Sequence, residues 1–261
     1  MSSFTESNAT ITSWLATVAA SLLVLFGLWW ALVELFSLPR FILPHPFASL
    51  ASLAERPDFY AAQLSGTLKL IAFSVPLSLA LGSVLGALTG MMPRSARWIW
   101  PVLIVTQALP IYALSPIVAT LMPDGLAKNV LVATLILSFP VALSVFRGLR
   151  AVDSDLIDAA RLDARGRWPL FRDVMMPLSL PSLMGGLRAA LTLAPMAAFL
   201  GELAGTNQGL TRIIVRETSM GRTDMVWAAV LLMTLMALGL YGLGAVAERL
   251  LVPWNSQEEG S

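Results

Sequence analysis

Five stretches of the chain carry no Asp, Glu, Lys or Arg over 18 residues or more: Ser7–Val33, Leu70–Pro93, Trp98–Pro123, Asn129–Phe146 and Met225–Ala247. A helix needs about 20 predominantly apolar residues to cross the hydrocarbon core of a bilayer, so each stretch predicts a membrane span. A sixth is predicted between Pro181 and Leu203, where the uncharged core Ala189–Gly201 is bracketed by Arg188 and Glu202. No basic segment precedes the first run and no small-residue cleavage site follows it, so it reads as a retained anchor. Pro76, Pro110, Pro116, Pro140 and Pro195 fall inside predicted spans, where neighbouring helices can repair the lost backbone hydrogen bonds. Gly82 and Gly86 have the four-residue spacing that lets two membrane helices approach closely.

Composition agrees with that pattern. Of the 261 residues, 57% are hydrophobic and 13% charged, against about 25% charged in an average soluble domain. A net charge of +1 leaves no global basic footprint and argues against nucleic acid as a partner. With no cysteine and one histidine, there is no disulfide framework and no metal cluster to build. His45, in "LPHPF", reads as a partnerless loop residue.

Lys and Arg placement sets the predicted orientation. With six spans and both termini cytoplasmic, ten basic residues fall inside and seven outside, and seven of the ten lie in the single loop Arg147–Arg188. That loop is therefore expected to face the cytoplasm. The predicted organisation is a tail over residues 1–13, a six-span domain over 14–250 containing the loop 147–187, and a polar tail over 251–261.

The loop reads as two short helices. Asp153, Ser154 and Asp155 offer capping and acidic side chains at a helix start. Leu156, Ala160 and Ala164 then share one face at four-residue spacing. Gly166 is expected to end the first helix, Pro169 to suit the first turn of the second, and Pro177 to stop it. The first helix would present a shallow alanine strip flanked by Arg161 and Arg165, suited to lying in a partner's groove.

This loop resembles the EAA motif of permease subunits of binding-protein-dependent ABC importers, whose pattern is EAA, three residues, Gly, nine residues, then an aliphatic residue, any residue, Leu and Pro. In that register Asp158, Ala159 and Ala160 stand at EAA, Ala164 at the glycine, and Pro177 at the end. Asp for Glu and Ala for Gly are departures, and since Ala164 cannot cheaply take a left-handed turn, the bend is expected at Gly166. "FILPHPFASL", "GELAGTNQGL" and "ERLLVPW" are similar to segments of the nitrate, taurine and alkanesulfonate branch, in the same order.

The resemblance implies an all-α integral membrane fold of type I ABC importer permease architecture, with six transmembrane helices and a cytoplasmic two-helix coupling loop. It implies a coupling helix at Asp158, Ala159, Ala160, Arg161, Leu162, Ala164, Arg165 and Gly166, docked on cytoplasmic ABC ATPase subunits that hold the ATP and magnesium. This chain would bind no cofactor itself. It has no G-x-x-x-x-G-K-[ST] loop and is expected to be a non-catalytic transport subunit of the bacterial inner membrane. The implied partners are a second permease, identical or sister, and an extracytoplasmic solute-binding protein docking over residues 38–64 and 207–224.

Two polar residues near spans remain. An ionisable group in a membrane segment is a functional candidate by default. Glu202, ahead of Gly205 and Gly209, reads as a holder of the following loop, with a pathway contact as the alternative. Gln107 is a second pathway candidate. Competing classes fit less well: "DGLAKN" at Asp124 begins like the aspartate motif of membrane phosphotransferases and then fails, and a passive channel leaves the loop without a purpose. Another importer branch is the nearer alternative. The substrate is expected to be a small anion or organic solute of sulfonate, nitrate, bicarbonate or pyrimidine type.

Overall fold

A computed structural model describes the backbone of residues 2–108, 120, 122–123, 125–163, 166–203, 205 and 208–252, and the side chains of these except 2–15, 93, 108, 161–163 and 167. Among the described residues all regular structure is helical. The helices are α1 (Ser2–Phe36), α2 (Pro46–Glu55), α3 (Pro57–Met91), α4 (Pro93–Ala108), α5 (Leu126–Ala151), α6 (Ser154–Asp163), α7 (Arg167–Leu170), α8 (Met176–Leu203), α9 (Leu210–Ser219) and α10 (Thr223–Leu251).

Among the described residues, five segments are long and apolar enough to cross a membrane: Ala16–Phe36, Pro57–Met91, Leu126–Ala151, Trp168–Leu203 and Thr223–Leu251. Each overlaps a predicted span. The third predicted span begins inside the 16-residue α4, and its remainder, with Pro110 and Pro116, lies outside the described residues.

The chain divides into two compact units. One takes in the chain up to Tyr60 together with Ile213–Val230; the other takes in Ala61–Arg212 and the chain from Leu231 onward.

In the larger unit, α5 carries a buried stripe at four-residue spacing, Ala133, Leu137, Val141, Val145 and Leu149. Four-residue ridges are what one helix sets into the groove of another. On α8 the fully buried positions are Ala190, Ala194, Ala197 and Ala198, so the two backbones approach across short side chains. Glycine does the same between α3 and α5. A Cβ on Gly82 would fall 2.6 Å from Val141 Cβ, and one on Gly86 2.6 Å from the Ala142 carbonyl oxygen. By contrast Gly239 on α10 has nothing within 4 Å of such a Cβ. Gly86→Leu is therefore expected to lower the melting temperature in detergent, with overpacking costing about 1–3 kcal/mol, while Gly239→Leu leaves it near wild type.

In the smaller unit the "LPHPF" corner is packed. Trp29 Nε1 donates to the Pro44 carbonyl at 3.1 Å, and its ring lies 5.0 Å from that of Trp227. His45 is a loop residue but not a partnerless one: it precedes α2 as its cap, accepts from the Phe47 N–H, and places Nε2 3.4 Å from Glu34. The sequence hides this pairing because Glu34 belongs to the preceding helix. Thr223 donates to the Arg40 carbonyl at 2.6 Å, joining two segments 183 residues apart.

Candidate functional site: the coupling segment and the Glu202 cluster

The loop after α5 begins as its capping residues predict. Asp153 Oδ1 accepts the Asp155 N–H at 2.9 Å, satisfying one of the donors that a helix start leaves open. The α6 helix then presents Asp158 and Ala159 to solvent, with Leu156 exposed and Ala160 half-buried. The side chains of Arg161 and Leu162, and Ala164 and Arg165 altogether, lie outside the described residues. Gly166 has φ of 135°, a conformation that L side chains rarely adopt, and it separates α6 from α7.

Beyond Gly166 the structure departs from the predicted stop. Pro177 does not end a helix; it sits at the second position of α8, where its missing N–H breaks no intrahelical bond. The five residues Phe171–Met175 ahead of it form a π-helical turn, in which the Met176 N–H donates to the Phe171 carbonyl. The extra residue in that turn accommodates the proline and lets one apolar helical stretch run from Trp168 to Leu203.

Near the far end of α8 lies the most fully satisfied polar cluster among the described residues. Glu202 is buried, 5% exposed. Its Oε1 accepts from the Thr67 hydroxyl at 2.7 Å and its Oε2 from the Thr211 N–H at 3.0 Å. Thr67 also accepts the Leu210 N–H at 2.9 Å, so one hydroxyl serves as donor and acceptor. One turn earlier on α3, Gln63 Oε1 accepts the Gly209 N–H at 2.9 Å. Three successive backbone donors, at residues 209, 210 and 211, are thereby taken up by side chains at the start of α9. Gly209 has φ of 119°, and a Cβ there would land on the Glu202 carboxylate. No other residue fits that position.

Gln107 is exposed and makes one long hydrogen bond, 3.5 Å, to the Ile136 carbonyl. Nothing among the described contacts joins it to the Glu202 cluster. Four residues escaped the sequence reading. Thr67 and Gln63 gave no signal because their partners lie 135 or more residues away. Lys128, counted among the seven basic residues outside the membrane, is fully buried in the first turn of α5. In the smaller unit, Glu217 is buried with Arg222 at 3.3 Å and Arg216 at 3.9 Å, so two partly exposed arginines flank a buried carboxylate.

Long apolar helices, a charged helical segment ahead of one of them, and a loop tied back by a buried glutamate are features of a multi-pass membrane protein. The chain belongs to the family of binding-protein-dependent transport system inner membrane components, matched over residues 78–256. It is 34% identical over 245 residues to the riboflavin transport system permease protein of Chloroflexus aurantiacus, covering 90% of this chain and 89% of that one. It is 27% identical over 239 residues to the formylaminopyrimidine transport permease protein of Halalkalibacterium halodurans, covering 90% and 94%. Among solved structures, an inward-facing methionine ABC transporter matches with a TM-score of 0.64 at 18% identity, over 72% of this chain and 93% of that one. The fold is that of a type I ABC importer permease, and the chain is an ABC importer permease, which as a family works with ATPase and binding-protein partners.

Proposed function

We propose that this chain forms one of two permease subunits lining a solute pathway in the bacterial inner membrane, with both termini cytoplasmic. Cytoplasmic ATPases hydrolyse ATP and drive the pathway through α6, while the chain itself catalyses nothing. The observation that carries this reading is the exposed helix α6 set just ahead of the apolar helical stretch Trp168–Leu203, within the residues matched to the family. The docking surface is the face of Leu156 and Ala160, with Asp158, Ala159, Arg161, Leu162, Ala164, Arg165 and Gly166 around it. Glu202 holds the following loop rather than touching solute, and both of its oxygens are already engaged. The binding protein docks over residues 38–64 and 207–224, parts of which meet through Thr223 and Arg40.

For the solute, a planar nitrogen heterocycle is set ahead of a small anion: of the relatives that cover nine-tenths of this chain, those named for riboflavin and formylaminopyrimidine are 34% and 27% identical, those named for aliphatic sulfonates and taurine 24% and 25%. The test is thermal unfolding of the partner binding protein against riboflavin, an aminopyrimidine, taurine, an alkanesulfonate, nitrate and bicarbonate. A heterocycle is expected to raise its melting temperature. A rise with a sulfonate, nitrate or bicarbonate alone would move the assignment to the anions.

A further inference from the structure

The apolar run that makes α8 is interrupted by a single charge, and the apolar run of α10 ends on one. Between Asp173 and Glu202 the only charged residue is Arg188, and between Asp224 and Arg249 the only one is Glu248. Isolated charges in membrane helices are costly and persist where they have a partner or a task. These two are each other's partner. Arg188 Nη1 donates to Glu248 Oε2 at 3.2 Å, Nη2 donates to the Tyr241 hydroxyl, and the guanidinium carbon sits 4.8 Å from the centre of the Tyr241 ring.

The surroundings are fitted to this arrangement. Tyr241 and Glu248 stand seven residues apart, two turns along one face of α10. Gly244 lies between them, where a Cβ would come within 3.3 Å of Arg188 Cα and 3.2 Å of Leu191 Cδ1. The absent side chain lets the two backbones close, and the guanidinium then spans two turns of its neighbour. Sliding either helix by one residue would break both contacts. An ion pair in apolar surroundings adds little net stability over well-packed apolar residues, so its distinctive contribution is to fix that register.

Arg188 lies twelve residues beyond Met176, about 18 Å along the helix that leaves the coupling segment. We propose that Arg188 is a positioning residue for transport: with Tyr241 and Glu248 it latches α10 to α8, so that displacement of the loop moves both helices as one body. This rests on the reading of α6 as the coupling helix.

The absence of native cysteine makes the test clean. In the intact transporter, purified with its ATPase, spin labels at Leu178→Cys and Leu250→Cys report the α8 to α10 separation, both sites being exposed. A control pair at Ser154→Cys and Leu131→Cys reports movement of the loop against the body of α5. Distances are compared without nucleotide and after trapping with ATP and vanadate. The latch predicts that the control pair shifts while the α8 to α10 distance keeps one narrow peak. Arg188→Gln should make that distance nucleotide-dependent, and the swap Arg188→Glu with Glu248→Arg should restore the single peak. A purely structural role would lower the yield of folded protein without adding a nucleotide-dependent peak. A wild-type α8 to α10 distance that itself changes on trapping, or an Arg188→Gln protein that behaves as wild type while the control pair shifts, overturns the latch alone. A control pair that never shifts overturns the coupling reading and the latch with it.

Discussion

Ala160→Trp is expected to give a permease that inserts and folds normally yet recovers little ATPase on purification, and whose residual ATP hydrolysis no longer responds to loaded binding protein. Ala160 is half-buried on a short helix whose neighbours Leu156, Asp158 and Ala159 are exposed. A partner lying on that face meets a shallow surface, and an indole there would overpack it at a cost of about 1–3 kcal/mol. Each 1.4 kcal/mol weakens docking about tenfold. Because α6 is joined to the spans through Val152 and Gly166 at its two ends, the spans have no reason to repack. Arg161→Ala should be milder, since it removes a contact without introducing a clash. Affinity recovery of the ATPase on tagged permease distinguishes the two variants, and equal recovery from wild type and the Trp variant would remove α6 from the docking surface.

The second large effect is expected at Glu202. In Glu202→Ala the Thr211 N–H loses its acceptor in a buried setting, and the Thr67 hydroxyl keeps only the Gln63 carbonyl at 3.5 Å. An unsatisfied buried donor costs about 1–3 kcal/mol, so the turn into α9 should come loose and uptake should be abolished. Glu202→Gln retains a carbonyl for the Thr211 N–H. Its amide group can donate to Thr67, whose hydroxyl has the Gln63 carbonyl 3.5 Å away as an alternative acceptor. Uptake should then fall only in part. Gly209→Ala should resemble the Ala variant, for its Cβ would occupy the carboxylate and its backbone has φ of 119°. If Gln abolished uptake with normal expression and intact ATP hydrolysis, the charge itself would be needed and the pathway role would replace the loop-holding one.

How much of this was legible depended on how local each signal was. Spans follow from uncharged runs, and a close helix approach from the spacing of Gly82 and Gly86, because both are properties of one segment; that α5 is the partner comes only from the fold. The cap at Asp153 and the turn at Gly166 were readable for the same reason. Pro177 misled because proline is permitted in the first turn of a helix as well as after its end, and only the π-helical turn at Phe171–Met175 decides between these. Thr67, Gln63, Lys128 and Glu217 were invisible as site residues. Each is an ordinary polar side chain until the fold buries it. Glu202 could be picked out from its cost in a membrane segment, but its two donors could not.

The central claim, that α6 is the surface through which an ATPase drives this permease, is most directly tested by cross-linking single cysteines introduced into the cysteine-free chain. Leu156→Cys lies exposed on the face of α6, and Thr218→Cys lies exposed on α9, which the predicted topology places on the opposite side of the membrane. With a short reagent that carries a thiol-reactive end and a photoreactive end, in native membranes, the account predicts a permease–ATPase adduct from Leu156→Cys and none from Thr218→Cys. An ATPase adduct from Thr218→Cys, with none from Leu156→Cys, would contradict it.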